Sequence, residues 1–238
     1  MNLDPRFQII CNMARTVKSA GVELPIEEMH LTFLIHKLRT EYGFMESARN
    51  NVPVDSNGDI MPLYTYPCYE WINSIDWTGA NVFEYGCGYS SQFWDRKGVN
   101  YYGVDSSDEW ISSENIIHEQ DMQEYANAIY KVDELFDVIV IDGDTRYGCV
   151  QPSIDKLKLG GVIILDNSEW HRNTKELLDE QDYIPIHFHG FKPIHVDSET
   201  TSCYLSRGFN RKSKTIVPMG GTFRETTKAD KPINDPTP

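Results

Sequence analysis

The chain has no excess of positive charge: 22 Lys and Arg stand against 36 Asp and Glu, a formal charge of −14 over 238 residues. A phosphate backbone is held by clustered Lys and Arg, so bulk nucleic-acid binding is not expected of this surface. Long apolar runs are also missing. None approaches the roughly 18 residues that a membrane-spanning helix needs, so no span is expected. Met1-Asn2-Leu3-Asp4-Pro5 lacks the basic-then-apolar order of a secretory signal. The five cysteines (Cys11, Cys68, Cys87, Cys149, Cys203) contain no C-x-x-C pair, which argues against a zinc knuckle and makes a reduced, cytoplasmic setting the simplest expectation. No internal repeat is present.

The remaining composition is ordinary for a globular chain, with 40% hydrophobic and 24% charged residues. The length fits one domain with an appendage, large enough to bury a core without staples. Residues 1–66 read as an N-terminal helical cap and loop. Phe7, Ile10, Cys11, Ala14 and Val17 fall on one helical stripe, Met29, Phe33, Leu34 and Leu38 on another, and Ser56-Asn57-Gly58-Asp59 carries turn chemistry. Residues 67–207 read as the core. From Gly208 onward the chain is rich in Gly, Pro, Thr and Lys, with six basic residues against three acidic ones, and reads as a flexible basic tail over 208–238.

Within the core, a helix is expected over Pro67–Ile75. Strands are expected at Asn81–Tyr85, Asn100–Val104, Asn115–His118, Asp137–Ile141, Gly161–Leu165, Tyr183–Phe188 and Thr201–Ser206, with helices over Ser90–Lys97, Asp121–Val132 and Glu169–Glu180. Continuous Val/Ile runs alternating with helices indicate strands buried on both faces, hence an α/β fold with a mostly parallel sheet and helices on each side. The last two strands leave no room for a crossover helix and predict a C-terminal antiparallel hairpin.

The sharpest local signal is Phe83-Glu84-Tyr85-Gly86-Cys87-Gly88-Tyr89-Ser90-Ser91, between a strand and a helix. Gly86 and Gly88 allow a tight turn and close approach of a ligand. A dinucleotide site would prefer Gly or Ala where Ser91 stands, and Glu84 beside a pyrophosphate would be repulsive. Next to the cationic amino-acid end of S-adenosylmethionine the same carboxylate makes sense. Glu84, Gly86 and Gly88 match the E-x-G-x-G first motif of class I S-adenosylmethionine-dependent methyltransferases, which this segment resembles. That resemblance implies a Rossmann-like methyltransferase sheet. It also places Asp105, at the end of the second strand, on the ribose hydroxyls, and Asp121, after the third, near the adenine. Asp121 reads equally as a helix N-cap.

Two further strands end in acidic groups: Ile141-Asp142-Gly143-Asp144 and Leu165-Asp166-Asn167. Ligands of open α/β sheets bind at that edge. Asp142, Asp166 and Asn167, with Trp170, resemble the positions that hold a divalent cation in catechol and caffeoyl-coenzyme-A O-methyltransferases. This implies a possible Mg²⁺ site on those three residues. Position 145 departs from that group, being Thr where a Lys is usual. Over residues 80–207 the chain is similar to bacterial and phage class I methyltransferases carrying E-Y-G-x-G-x-S, I-D-G-x-x-R-x-x-C, G-G-x-I-x-x-D-N and T-T-S. A small-molecule or glycan hydroxyl is the acceptor class implied.

Asp142, Asp166 and His171 are the catalytic candidates, His171 because it follows the acidic edge and could serve as a general base. His187, His189 and His195 are weaker candidates. Arg146 could bind an anionic substrate group or pair with Asp142 or Asp144. Tyr64, Tyr66, Trp71 and Trp77 are expected to pack. Two rival readings stay open at this point. One is an NAD-dependent oxidoreductase, against which Glu84, Ser91 and the lack of a Tyr-x-x-x-Lys pair argue. The other is a non-catalytic binding protein of the same fold. The acceptor atom and oligomeric state are not encoded legibly.

Overall fold

The alternating apolar runs resolve into one seven-stranded sheet in a computed structural model that describes residues 26–214 and 216–221, together with 12, 15–16 and 18–21. The expected stripe of Phe7 to Val17 lies outside the described residues. Two compact units are present: Met1–Tyr42 with Ile216–Pro238, and Gly43–Thr215. In the first, helix α1 (Ile26–Thr40) carries Met29, Phe33 and Leu38 partly buried while Leu34 is exposed, and the Lys37 ammonium lies 5.1 Å from the centre of the Phe33 ring.

The second unit holds the sheet. Its strands are β1 (Asn81–Tyr85), β2 (Asn100–Asp105), β3 (Ile116–His118), β4 (Phe136–Ile141), β5 (Leu157–Leu165), β6 (Tyr183–Phe191) and β7 (Ser198–Ser206), ordered β3-β2-β1-β4-β5-β7-β6. The first five run parallel, β7 is antiparallel to β5, and β6 closes the hairpin on β7. This is the Rossmann-like, mostly parallel sheet with a C-terminal antiparallel hairpin that the sequence implied. Around it lie α2 (Phe44–Asn50), α3 (Tyr66–Ser74), α4 (Tyr89–Asp95), α5 (Met122–Asn127), α6 (Arg146–Lys156) and α7 (Arg172–Asp179). No helix among the described residues is long and apolar enough to cross a membrane.

Register explains the core. Phe83, Ile139, Ile163 and Tyr204 stand in line across β1, β4, β5 and β7, all fully buried, with Tyr85, Ile141 and Leu165 one pleat further. Tyr125, Cys149, Val150 and Leu178 pack against that face. Alternation sends Glu84, Val140, Ile164 and Cys203 to the opposite face, where the Cys203 thiol lies 3.7 Å from Cys68 of α3. The aromatic cluster packs as expected: Trp77 is buried edge-on to Trp94 and donates to the Ile72 carbonyl at 2.9 Å.

Three expectations need correction. Strand β5 begins at Leu157 and not Gly161, because Gly160, with φ +80, lets the strand kink and continue. The hairpin strands extend through His189 and Thr200, so only residues 192–197 form the connection. The segment 208–214 is not free tail: Asp76 N–H donates to the Lys212 carbonyl, Lys214 N–H to Ser74, and the Arg211 guanidinium pairs with Asp137 at 2.8 Å while lying over Trp77.

Candidate functional site

The crevice opens between β1 and β4, where the chain order reverses from one side of the sheet to the other, the place where open α/β sheets bind ligands. Two turns meet there. Gly86 has φ +86, and a Cβ on it would stand 2.4 Å from the Gly143 Cα, so the turns after β1 and β4 touch backbone to backbone. Only glycine allows that approach. Gly88 differs: a Cβ there would meet no protein atom within 4 Å, leaving room for a ligand. The resulting cleft of about 480 Å³ is lined by Gly86, Gly88, Asp105, Trp110 and Asp142, among others.

Glu84 lies behind this wall at the end of β1, fully buried. Its Oε2 accepts from the Tyr101 hydroxyl at 2.5 Å, whereas its Oε1 is buried with no hydrogen-bond partner. Burial pushes its carboxyl up to about 8; the Tyr101 hydroxyl and the nearby Ser90 side chain oppose this, and Asp142 and Asp105 add to it. A buried oxygen without a partner demands one, and for the ionised carboxylate that partner is a donor. Asp105 ends β2 in the cleft wall; its Oδ1 accepts from Ser107 N–H at 2.8 Å, and burial raises its pKa. Asp121 is not brought to the cleft. It N-caps α5, accepting from the backbone N–H of Gln123 and Glu124 at 3.0 Å each.

At the ends of β4 and β5 the structure sets cations against the acidic groups. Thr145 (φ 44) and Asn167 (φ 49) adopt left-handed backbone, which for a β-branched Thr is strained. The Thr145 turn folds Arg146 back beneath the edge. Its Nη2 lies 3.0 Å from Asp142 Oδ1, the ion pair weighed in the sequence, with side chains only 11% and 23% exposed. Asp166, almost fully buried, is held by the Lys192 ammonium and by the Thr201 hydroxyl at 2.7 Å. Lys192 also pairs with Glu199 at 2.8 Å. Burial works against its charge, but Asp166 and Glu199 outweigh that and hold its pKa above the usual value. Asn167 donates to Glu199 Oε2 at 2.5 Å.

The oxygens expected to hold Mg²⁺, on Asp142, Asp166 and Asn167, face Arg146 or Lys192 already. With those two cations in place the residues do not fit a divalent cation. Burial and Asp166 raise the Asp142 pKa, with Arg146 and Lys192 pulling it back. Asp166 lines neither cleft described here.

A second cleft, about 520 Å³, shares Gly143, Asp144 and Arg146 with the first and is walled by Tyr147, Trp170 and His171. Tyr147 and Trp170 are 58% and 66% exposed, unusual for such large rings. The His171 pKa is lowered by burial and by Arg146, although Asp166 opposes, so the ring is neutral near pH 7. His187 and His189 are engaged elsewhere, facing the Ser202 and Thr200 hydroxyls across the hairpin at 2.8 Å. His195 lies outside both clefts.

Sequence reasoning missed Tyr101, Lys192 and Glu199. Tyr101 is found by register, since it alternates onto the face of Glu84 across β1 and β2. Lys192 carries no local signal, because its burial depends on the connection of a hairpin that pairs beside β5.

No protein-family model matches the chain, and no curated protein matches its sequence. Among solved structures it is similar to the O-methyltransferase from Bacillus cereus in complex with SAH, at 16% identity over 82% of this chain and 97% of that one, with a TM-score of 0.45. It is also similar to the MycE methyltransferase from the mycinamycin biosynthetic pathway in complex with Mg and SAH, at 16% identity over 59% of this chain and 46% of that one, TM-score 0.43. An rRNA methylase from Streptococcus thermophilus is a third, at 11% identity over 59% and 96%, TM-score 0.43. The chain thus spans less than half the length of MycE. Strand order, and not these likenesses, carries the fold assignment.

Proposed function

We propose that the chain is an S-adenosylmethionine-dependent methyltransferase acting on a hydroxyl of a small molecule or glycan. The observation that carries this reading is the unpartnered, buried Oε1 of Glu84 behind the glycine turn. A cationic ammonium would supply the missing donor and draw the carboxyl back to its ionised form. A pyrophosphate would leave it unsatisfied and add repulsion, which disfavours a dinucleotide.

When bound, S-adenosylmethionine supplies an electrophilic methyl group on a sulfonium. The chain's own residues have simpler tasks. Glu84 would hold the amino-acid end through charge, and Asp105 would accept from ribose hydroxyls, as acidic groups at this strand end do. Gly88 leaves the space that the ligand needs. The acceptor would lie in the second cleft against Trp170 and Tyr147, beside the wall that the two clefts share. His171, neutral near pH 7, would take the hydroxyl proton. Positioning the two reactants in adjoining clefts is the larger part of such catalysis. Four free buried thiols (Cys68, Cys87, Cys149, Cys203) support a reducing, cytoplasmic setting.

Calorimetry with S-adenosylmethionine, S-adenosylhomocysteine and NAD tests the cofactor. Binding of the first two without NAD is expected, and the reverse would overturn the reading. Transfer of a labelled methyl group to a panel of phenolic and sugar hydroxyls tests the acceptor.

A further inference from the structure

The guanidinium of Arg146 sits inside a cage made wholly of oxygen. Its Nε donates to the Gly143 carbonyl at 3.2 Å, Nη1 to the Asp166 carbonyl and to Asn167 Oδ1 at 3.4 Å, and Nη2 to the Asp142 carbonyl at 3.2 Å, with Asp142 Oδ1 forming an ion pair with Nη2 at 3.0 Å. Four hydrogen bonds and one ion pair thus engage all three nitrogens of the guanidinium. The acceptors are one carboxylate, one side-chain amide and three main-chain carbonyls, the ligand types that a hard divalent cation takes. They come from the turns that follow two adjacent strands, β4 and β5. The strained backbone at Thr145, immediately before Arg146, holds the side chain in that position.

From this geometry we infer that Arg146 is the resident cation of the site, filling the cage that a divalent ion would otherwise occupy, and that the chain works without a metal. Lys192 completes the charge balance on the other side, between Asp166 and Glu199. Arg146 is a positioning residue: it ties the turn after β4 to the turn after β5, and both clefts use that wall. The metal independence of turnover rests on the methyltransferase reading, whereas the occupancy of the cage does not.

The experiment titrates Mn²⁺ into the full-length protein and follows free Mn²⁺ by electron paramagnetic resonance. The unmodified protein is expected to bind none at the cage up to about 1 mM, at the weak end of all-oxygen sites. Arg146→Ala is expected to bind one Mn²⁺ with a dissociation constant on the order of 0.1–1 mM, lost again in the double variant with Asp142→Asn. Its melting midpoint should rise on adding Mn²⁺ or Ca²⁺, which a merely structural arginine would not predict. Affinity of the unmodified protein for S-adenosylhomocysteine should be the same in EDTA as in Mg²⁺. Stoichiometric Mn²⁺ binding by the unmodified protein that Asp142→Asn abolishes overturns the inference, as does a folded Arg146→Ala that binds no ion. Should that variant fail to fold, the unmodified protein and its Asp142→Asn form decide alone. Absence of S-adenosylhomocysteine binding under every condition refutes the proposed function and leaves the Mn²⁺ result standing.

Discussion

Glu84→Gln separates the cost of a buried charge from its use. The carboxyl is pushed from its ordinary 4.5 to about 8 in the folded chain. At about 1.36 kcal/mol per unit, ionising it in place costs up to about 5 kcal/mol, an upper bound for a fully buried group. The sign follows from proton counts. Between about pH 4.5 and 8 the folded chain keeps a proton that the unfolded chain has released, so stability falls as pH rises through that window and levels above it. Glutamine preserves the acceptor for the Tyr101 hydroxyl and removes the titration. Urea unfolding without ligand, run at about pH 5 and about pH 8, should show the variant gaining about 3 kcal/mol relative to the parent between the two pH values. That difference does not depend on what the new amide costs at Oε1, since an unsatisfied amide is equally costly at both pH values. Ligand binding should move the opposite way. Affinity of the parent for S-adenosylmethionine should rise with pH, by up to about tenfold per unit, and level near pH 8. The variant should bind about 10–100-fold more weakly, with that component of the pH dependence gone. Parallel stability curves for the two proteins, or equal affinity, would refute the argument.

Other changes read out separate parts of the site. Asp105→Asn should weaken S-adenosylhomocysteine by about 1–2 kcal/mol in calorimetry while leaving the fold intact by circular dichroism. His171→Gln should lower kcat by about 10²–10⁴-fold with cofactor affinity unchanged, and the parent's kcat/KM should fall on the acid side with a midpoint below the ordinary histidine value. Lys192→Met strands the Asp166 and Glu199 carboxylates in the interior and should cost about 3–5 kcal/mol in urea unfolding. Gly86→Ala should abolish soluble folded protein, because its Cβ would sit 2.4 Å from the Gly143 backbone at a φ of +86.

Much of this architecture is written locally. Val and Ile runs such as Asp137–Ile141 and Gly161–Leu165 can be satisfied only by burial on both faces, so the parallel sheet follows from composition and period alone. The same is true of the turn after β1, where one glycine needs positive φ and the residue two places before it is acidic. Asp105 is legible because a strand must end where its apolar run ends. Asp121 was legible too, but as two things at once, and the helix it begins takes its carboxylate for a cap.

The pairing of charges was not written there. Nothing near Lys192 in the sequence says that a hairpin will bury it, and nothing near Asp166 says that a lysine 26 positions later will neutralise it. Asp142, Asp166 and Asn167 have the spacing of cation ligands, yet whether they hold a metal or an arginine depends on the path of the turn at Thr145. Side-chain type and period fix where strands and turns fall, because those forces act within a few residues. Which cation meets which carboxylate is settled only when distant segments are packed together. There the low dielectric of the interior makes each unpaired charge too costly to leave.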